Sequence, residues 1–235
     1  MATLYLVRHG QASFGAENYD QLSSLGQQQS LKLGQYFKAQ GRNFDAAFTG
    51  TLTRQRQTLT GICEGLGVTP LLPGDAPDVT SPLAHTLWSG LNEFDGAALI
   101  AAIHPQPLAK PDTPELYRQY FRLLRQALKQ WMNGAISPQG MPGYGDFVAG
   151  VTGALNHIRQ NYSGNVLLVS SGGPISTAVG HVLATSPETT IELNLRIRNS
   201  AVTEFSFTPK RHTLMTFNTL PHLDAPEHRD WVTYA

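Results

Sequence analysis

Two apolar runs that stop abruptly on glycine-bearing polar clusters constrain this chain more than anything else in it. The first, Leu4-Tyr5-Leu6-Val7, ends on Arg8-His9-Gly10-Gln11, and the second, Val166-Leu167-Leu168-Val169, ends on Ser170-Ser171-Gly172-Gly173. Runs this short and uniformly apolar read as strands covered on both faces, the pattern of central strands in a parallel sheet. Open α/β sheets gather ligands outside the carboxyl ends of such strands. Both junctions are therefore candidate site positions. At the first, His9 offers an imidazole able to attack phosphorus. Arg8 offers a planar fork of donors that matches phosphate oxygens, and Gly10 lets the backbone turn closely beneath a bound group. On those three residues alone, a strand end with ordinary surface polarity is the alternative. At the second junction, Ser170 to Gly173 precede a helix start with Pro174 in its first turn. That is either an anion cradle or a structural turn.

Between the junctions the pattern alternates helix and strand. Residues 26–39 read as a helix with Leu31, Gly34 and Phe37 on one face, Leu33 on its flank and Gly41 as C-cap. Residues 45–49 read as a strand, and 52–66 as a helix capped by Thr51 or Thr53. Arg54 lies in the first turn of that helix, where the backbone donors and the dipole favour an anion; a surface arginine is the other reading. The polar stretch 11–25 is placed to wrap the site, with Ser13 and Asn18 as possible phosphate donors. Glu93 sits among small and apolar residues that could desolvate it and raise its pKa, as a general acid requires; a solvated loop carboxylate is the alternative.

Residues 68–72 suggest a strand, 73–82 a loop rich in proline, glycine and aspartate, and 104–114 a proline-rich linker. A long helix follows from Pro114 to about Asn133, its buried stripe running from Leu116 and Tyr120 through Leu124 and Leu128 to Trp131. The basic residues Arg118, Arg122, Arg125 and Lys129 read as a solvated face. Further helices are expected ending near Tyr162 and over 175–183, then an antiparallel edge hairpin over 201–208 and 212–218.

Composition narrows the function classes. Lysine plus arginine equals aspartate plus glutamate at 17 each, which argues against a nucleic-acid surface while leaving room for a local positive pocket. No apolar run reaches the roughly 18 residues of a membrane span. The first strand begins at once, so no signal peptide is expected. Cys63 is the only cysteine, so neither a disulfide framework nor a cysteine zinc site is expected, which favours a cytoplasmic setting.

Taken in order, the motifs Leu6-Val7-Arg8-His9-Gly10-Gln11, Leu52-Thr53-Arg54-Gln55-Arg56-Gln57-Thr58, Leu91-Asn92-Glu93-Phe94-Asp95-Gly96 and Val169-Ser170-Ser171-Gly172-Gly173-Pro174-Ile175 resemble those of the histidine phosphatase superfamily, in its phosphoglycerate-mutase-like branch. The stretch Asn218 to Leu223 is similar to the family's C-terminal segment. The resemblance implies a single α/β domain over 1–235. Its expected architecture is a three-layer α/β/α sandwich with a mostly parallel central sheet, an antiparallel edge hairpin near the C-terminus, and a helical cap insert at about 100–145. It implies a phosphatase working through phosphohistidine, with His9 as nucleophile and Glu93 as acid. Arg8, Arg54, Ser171 and Gly172 would hold the phosphoryl group, with no metal and no cofactor, and the expected partner is a small phosphorylated substrate. One departure stands out: the family places a second histidine where this chain has Ser171. Serine keeps one donor and loses a charge, so a weakened or purely phosphate-binding member is an alternative reading. Phosphoglycerate mutase is a third. It is disfavoured because Glu93 is followed by Phe94-Asp95-Gly96-Ala97-Ala98, a poor setting for a second anion.

Overall fold

The computed structural model describes residues 2–13, 20–75, 81–106, 108 and 112–234. Its centre is a seven-stranded sheet of order β3-β4-β2-β5-β1-β6-β7. The strands are β1 (Ala2–Arg8), β2 (Ala46–Thr49), β3 (Thr69–Leu71), β4 (Pro82–Leu87), β5 (Asn165–Ser170), β6 (Val202–Thr208) and β7 (Arg211–Thr219). All pairs are parallel except β1–β6 and β6–β7. The expected sandwich with an antiparallel edge hairpin is thus observed.

The apolar run of β1 is central for a plain reason. Alternate side chains point to opposite faces of a strand, and both faces of this one are covered. Leu4 and Leu6 enter one hydrophobic cluster and Tyr5 and Val7 the other. The second cluster belongs to α1 (Ser24–Ala39) and α2 (Thr53–Leu66), through Leu33, Phe37, Leu59 and Ile62. The first is filled from α3 (Gly96–Ala101), α4 (Pro114–Met132), α5 (Tyr144–Asn161), α6 (Gly172–Leu183) and α7 (Pro187–Arg196). Register aligns the carboxyl ends: Arg8 pairs with Ser170, and both Val7 and Thr49 pair with Val169. The loops after β1, β2 and β5 therefore leave the sheet side by side.

Several local expectations change. In α1 the buried position is Leu33, with Leu31 on the flank. Neither Thr51 nor Thr53 caps α2; its N-cap is Leu52, which supplies no side-chain bond. The stretch after β3 is not only loop: β4 starts at Pro82 and runs parallel between β3 and β2. In α4 the stripe is buried at Leu124, Ala127, Leu128 and Trp131, while its first turns lie outside the core. Two of its basic residues reach α7, as Arg125–Glu192 and Lys129–Glu188 ion pairs on the surface. Among the described residues no helix is long and apolar enough to cross a membrane.

Candidate active site

Where β1 ends, its backbone continues the sheet contact by one residue: the His9 N–H donates to the Ser170 carbonyl at 2.8 Å. The His9 carbonyl in turn accepts from Ser200 N–H and Asn199 Nδ2, both at 3.3 Å. The imidazole, 3% exposed, has its Nδ1 2.7 Å from the carbonyl oxygen of Gly10. A carbonyl only accepts, so Nδ1 must carry the proton and Nε2 must present its bare lone pair. Arg54 Nε donates to that Nε2 at 3.3 Å. Burial, followed by the charges of Arg8 and Arg54, drives the pKa of His9 well below the ordinary imidazole value, against the opposing pull of the Gly10 carbonyl. The ring is therefore neutral at physiological pH, as a nitrogen nucleophile must be.

Gly10 is required by a close approach: a Cβ there would lie 2.4 Å from the backbone oxygen of Gly26 on α1. Its N–H donates to Thr58 Oγ1 at 3.0 Å, and the same hydroxyl donates to the Arg54 carbonyl at 2.8 Å. One threonine thus couples the turn after β1 to the first turns of α2.

Arg54 is held by a residue the sequence reading passed over. Asp20 pairs with Arg54 Nη1 at 2.8 Å and accepts from the Thr53 N–H at 2.8 Å. It caps α2 from another part of the chain, which is why α2 needs no cap of its own. Asp20→Ala is expected to lower stability by about 1 kcal/mol, the usual cost of a lost cap. It should also lower kcat roughly tenfold by loosening a guanidinium that must be positioned finely, without raising KM. Asp20→Asn, which keeps an oxygen acceptor for the cap, should recover stability but not kcat. Thermal melts and steady-state kinetics on the two variants check the split.

Glu93 arrives on the turn after Ser89–Leu91. Its Oε2 accepts from the Gly173 N–H at 3.1 Å and its Oε1 from the Phe94 N–H at 3.2 Å. Gly173 has no room for a side chain, since a Cβ would fall 2.1 Å from Glu93 Oε1. Desolvation raises the Glu93 pKa, outweighing the two backbone donors and the charges of Arg54 and Arg8. Arg8 points its Nη1 at the Ile197 and Tyr234 carbonyls, each 2.5 Å away.

Arg8, His9, Arg54 and Glu93 share one cavity of about 610 Å3. Ser171 and Gly172 do not line it. Ser171 is fully buried, its Oγ accepting from Gln55 Nε2 at 2.9 Å. Gly172 makes room for Asn194, whose Oδ1 would be 2.5 Å from a Cβ at 172 and which does line the cavity. Ser13 also stays off the wall, with its N–H on the Gln21 carbonyl, and Asn18 lies outside the described residues. Besides Asp20, the sequence reading missed the C-terminal tail. Gln29 Nε2 donates to the Trp231 carbonyl at 2.7 Å, the Asn199 N–H donates to the Thr233 carbonyl at 2.8 Å, and Tyr234 forms part of the cavity wall. A tail without periodicity that still carries tryptophan and tyrosine was the available signal. Among the described residues, no group of three or more His, Cys, Asp or Glu side chains is arranged to hold a metal ion.

An unprotonated imidazole nitrogen that shares a cavity with two arginines can form a covalent bond to a phosphoryl group, and a carboxyl in the same cavity can protonate a leaving oxygen. The chain is similar to several known proteins. The chain is 36% identical over 98 residues to a 2,3-bisphosphoglycerate-dependent phosphoglycerate mutase of Afipia carboxidovorans, a match covering 39% of this chain and 47% of the relative. It spans about half the length of the curated relatives it matches. In fold it is similar to phosphoserine phosphatase of Entamoeba histolytica, solved with 3-phosphoglyceric acid, at TM-score 0.62 and 22% identity over 95% of this chain and 100% of the other. The alpha-ribazole phosphatase of Shigella flexneri gives TM-score 0.62 and 17% identity, over 93% and 96% of the two chains. The family pattern described as histidine phosphatase superfamily (branch 1) matches residues 4–75 and 108–220, leaving Glu93 in the unmatched span between them. The chain belongs to the histidine phosphatase superfamily, branch 1.

Proposed function

We propose that this chain is a phosphomonoesterase that works through a phosphohistidine at His9. The observation that carries the reading is the Gly10 carbonyl at His9 Nδ1, which fixes the proton there and aims an unprotonated Nε2 at Arg54. In the first step the Nε2 lone pair forms the N–P bond as the P–O bond to the alcohol breaks. The departing oxygen takes the proton of Glu93. The guanidiniums of Arg8 and Arg54 stabilise the charge on the equatorial phosphoryl oxygens. In the second step water attacks phosphorus, the Glu93 carboxylate takes its proton, and the N–P bond breaks, releasing phosphate.

Phosphate must draw Arg54 Nε from the imidazole onto a phosphoryl oxygen, which frees the lone pair only when substrate is in place. The partial matches to mutases favour a second reading, in which a second acid substrate takes the phosphoryl group instead of water. Against it, Arg8 and Arg54 are the only basic side chains other than His9 among the cavity's described walls, and Asp95 lines the same cavity.

The test is an alkaline detergent quench during turnover of p-nitrophenyl phosphate in chelator. An acid-labile, base-stable phosphoenzyme is expected, and its absence under conditions of turnover would remove the mechanism. The pH profile supplies a second check. The active state needs His9 neutral and Glu93 protonated. His9 is lowered, so kcat/KM rises as pH climbs through a value well under 6.5. Glu93 is raised above 4.5, so activity falls as pH climbs through that higher value. The expected profile is bell-shaped, with its optimum between those two limbs. Glu93→Gln should flatten the falling limb and cost about 10²- to 10⁴-fold with alkyl phosphates, with a smaller loss on p-nitrophenyl phosphate, whose phenolate leaves without help. An unchanged falling limb in Glu93→Gln would reassign it to another group.

A further inference from the structure

Resting on that reading, we infer that the site takes phosphomonoesters whose alcohol carries a large, uncharged, apolar or aromatic body. Besides Arg8, His9, Arg54 and Glu93, the cavity wall is mostly apolar or aromatic, with Leu52, Tyr117, Tyr120, Phe121, Leu124 and Leu195, and carries Asp95 and Asn194 as further polar side chains. At about 610 Å3 the space is in the range of small-molecule pockets and far exceeds what one phosphate needs.

The helix α4 shows why that wall exists. Its apolar stripe runs the whole length of the helix, yet only the second half, Leu124 to Trp131, is buried in the core. The first half turns the same stripe towards the cavity and leaves Tyr117 37% and Phe121 39% exposed. Six large hydrophobic side chains are exposed among the described residues, and three of them, Tyr117, Phe121 and Tyr234, border this one cavity. Apolar surface concentrated in one concave place, at a cost in solubility, marks a ligand surface.

These walls are also preorganised. Tyr120 and Phe121 stand edge-to-face with centroids 5.5 Å apart, and Tyr120 Oη would be 3.1 Å from a Cβ at Gly96. Tyr234 comes from the far end of the chain, and its carbonyl is bonded to Arg8. The tail therefore ties an aromatic wall to a phosphate-holding arginine. Charge argues against a second anionic group on the substrate. Apart from Arg8, His9 and Arg54 no described wall residue is basic, and Asp95, the N-cap of α3, would repel a carboxylate in the same cavity.

The experiment compares esters whose leaving alcohols have similar acidity but different bodies: 2-naphthylmethyl phosphate, ethyl phosphate and 3-phosphoglycerate. Burial of an aromatic body predicts a kcat/KM for 2-naphthylmethyl phosphate roughly 10- to 100-fold above the other two. A Tyr117→Ser/Phe121→Ser double variant should shrink that ratio by about tenfold, through a loss on the naphthyl ester much larger than on ethyl phosphate. Tyr234→Ser, on a different element, should move the ratio in the same direction. Rates within threefold of one another, or 3-phosphoglycerate as the best substrate, would overturn the inference. Two controls separate it from the phosphatase reading. Phosphoramidate, whose leaving group is ammonia, should label His9 whatever the body pocket does. Calorimetry with 2-naphthylmethylphosphonate and ethylphosphonate reads the preference without turnover. Labelling with equal phosphonate affinities sinks the body pocket alone; absent labelling with a strong naphthyl preference supports the pocket and sinks the phosphohistidine.

Discussion

His9→Ala is expected to abolish turnover, lowering kcat/KM by on the order of 10⁴- to 10⁶-fold, the scale seen when a covalent nucleophile is removed. The reason is geometric. The one nitrogen that faces the arginines without a proton is His9 Nε2, and its protonation state is set by a backbone carbonyl that no substitution elsewhere can supply. Alanine leaves Arg8 and Arg54 in place, so inorganic phosphate should still bind while the acid-labile phosphoenzyme disappears. Free imidazole, small enough to enter the vacated space, should restore a measurable part of the rate. Little stability should be lost. The direction of the His9 pKa shift records a penalty on protonating the ring, so the native state loses stability through it only as pH falls below the ordinary imidazole value, and that acid-side loss leaves with the ring. A variant that still forms the acid-labile intermediate at full stoichiometry would place the nucleophile on another side chain and strip His9 of its covalent role.

The parts of this site that were legible in the sequence share a cause. β1 and β5 announce themselves because each is covered on both faces, which leaves an unbroken apolar run that no exposed strand could carry. β4 gives no such signal. Only Leu83 and His85 of its residues are buried, and the histidine hides its strand character while sitting satisfied against Thr49 Oγ1 at 2.9 Å. α7 was hidden for the opposite reason. Its Ser186 cap and Pro187 start are good helix signals, but Thr189, Thr190 and Ile191 are β-branched and weak helix formers. α4 reads as one buried stripe because periodicity reports that a face is apolar and says nothing of whether core or cavity meets it.

The site residues divide in the same way. Arg8, His9, Arg54 and Glu93 sit in local contexts that suggest chemistry on their own. Asp20 and the tail act only through partners distant in the chain, and no local pattern encodes such a contact. Ser171 shows the converse. Its neighbourhood in sequence pointed to the anion, yet Gln55 from α2 fills the adjoining space and takes its hydroxyl. Any larger side chain at 171 must first displace that amide, which also donates to the Leu91 carbonyl at 2.9 Å.

Arg54→Ala should be the second most damaging single change, with kcat/KM reduced by about 10²- to 10³-fold, as for loss of one preorganised donor to a developing anion. One further consequence follows from the geometry, a shift of the rising limb of the pH profile. Arg54 is one of the charges that depress the His9 pKa, so its removal lets that pKa climb, and kcat/KM should begin to rise only at higher pH. Arg54→Lys keeps the charge but loses the fork, which must reach both His9 and Asp20 from one planar group. It should therefore hold the rising limb near its parental pH while recovering only part of the rate. A structural defect alone would lower the rate without moving the limb, and pH profiles of Arg54→Ala and Arg54→Lys distinguish the two. If Arg54→Ala left the limb where it was, the guanidinium would not face the imidazole in solution, and the phosphate would have to be gripped by Arg8 without it.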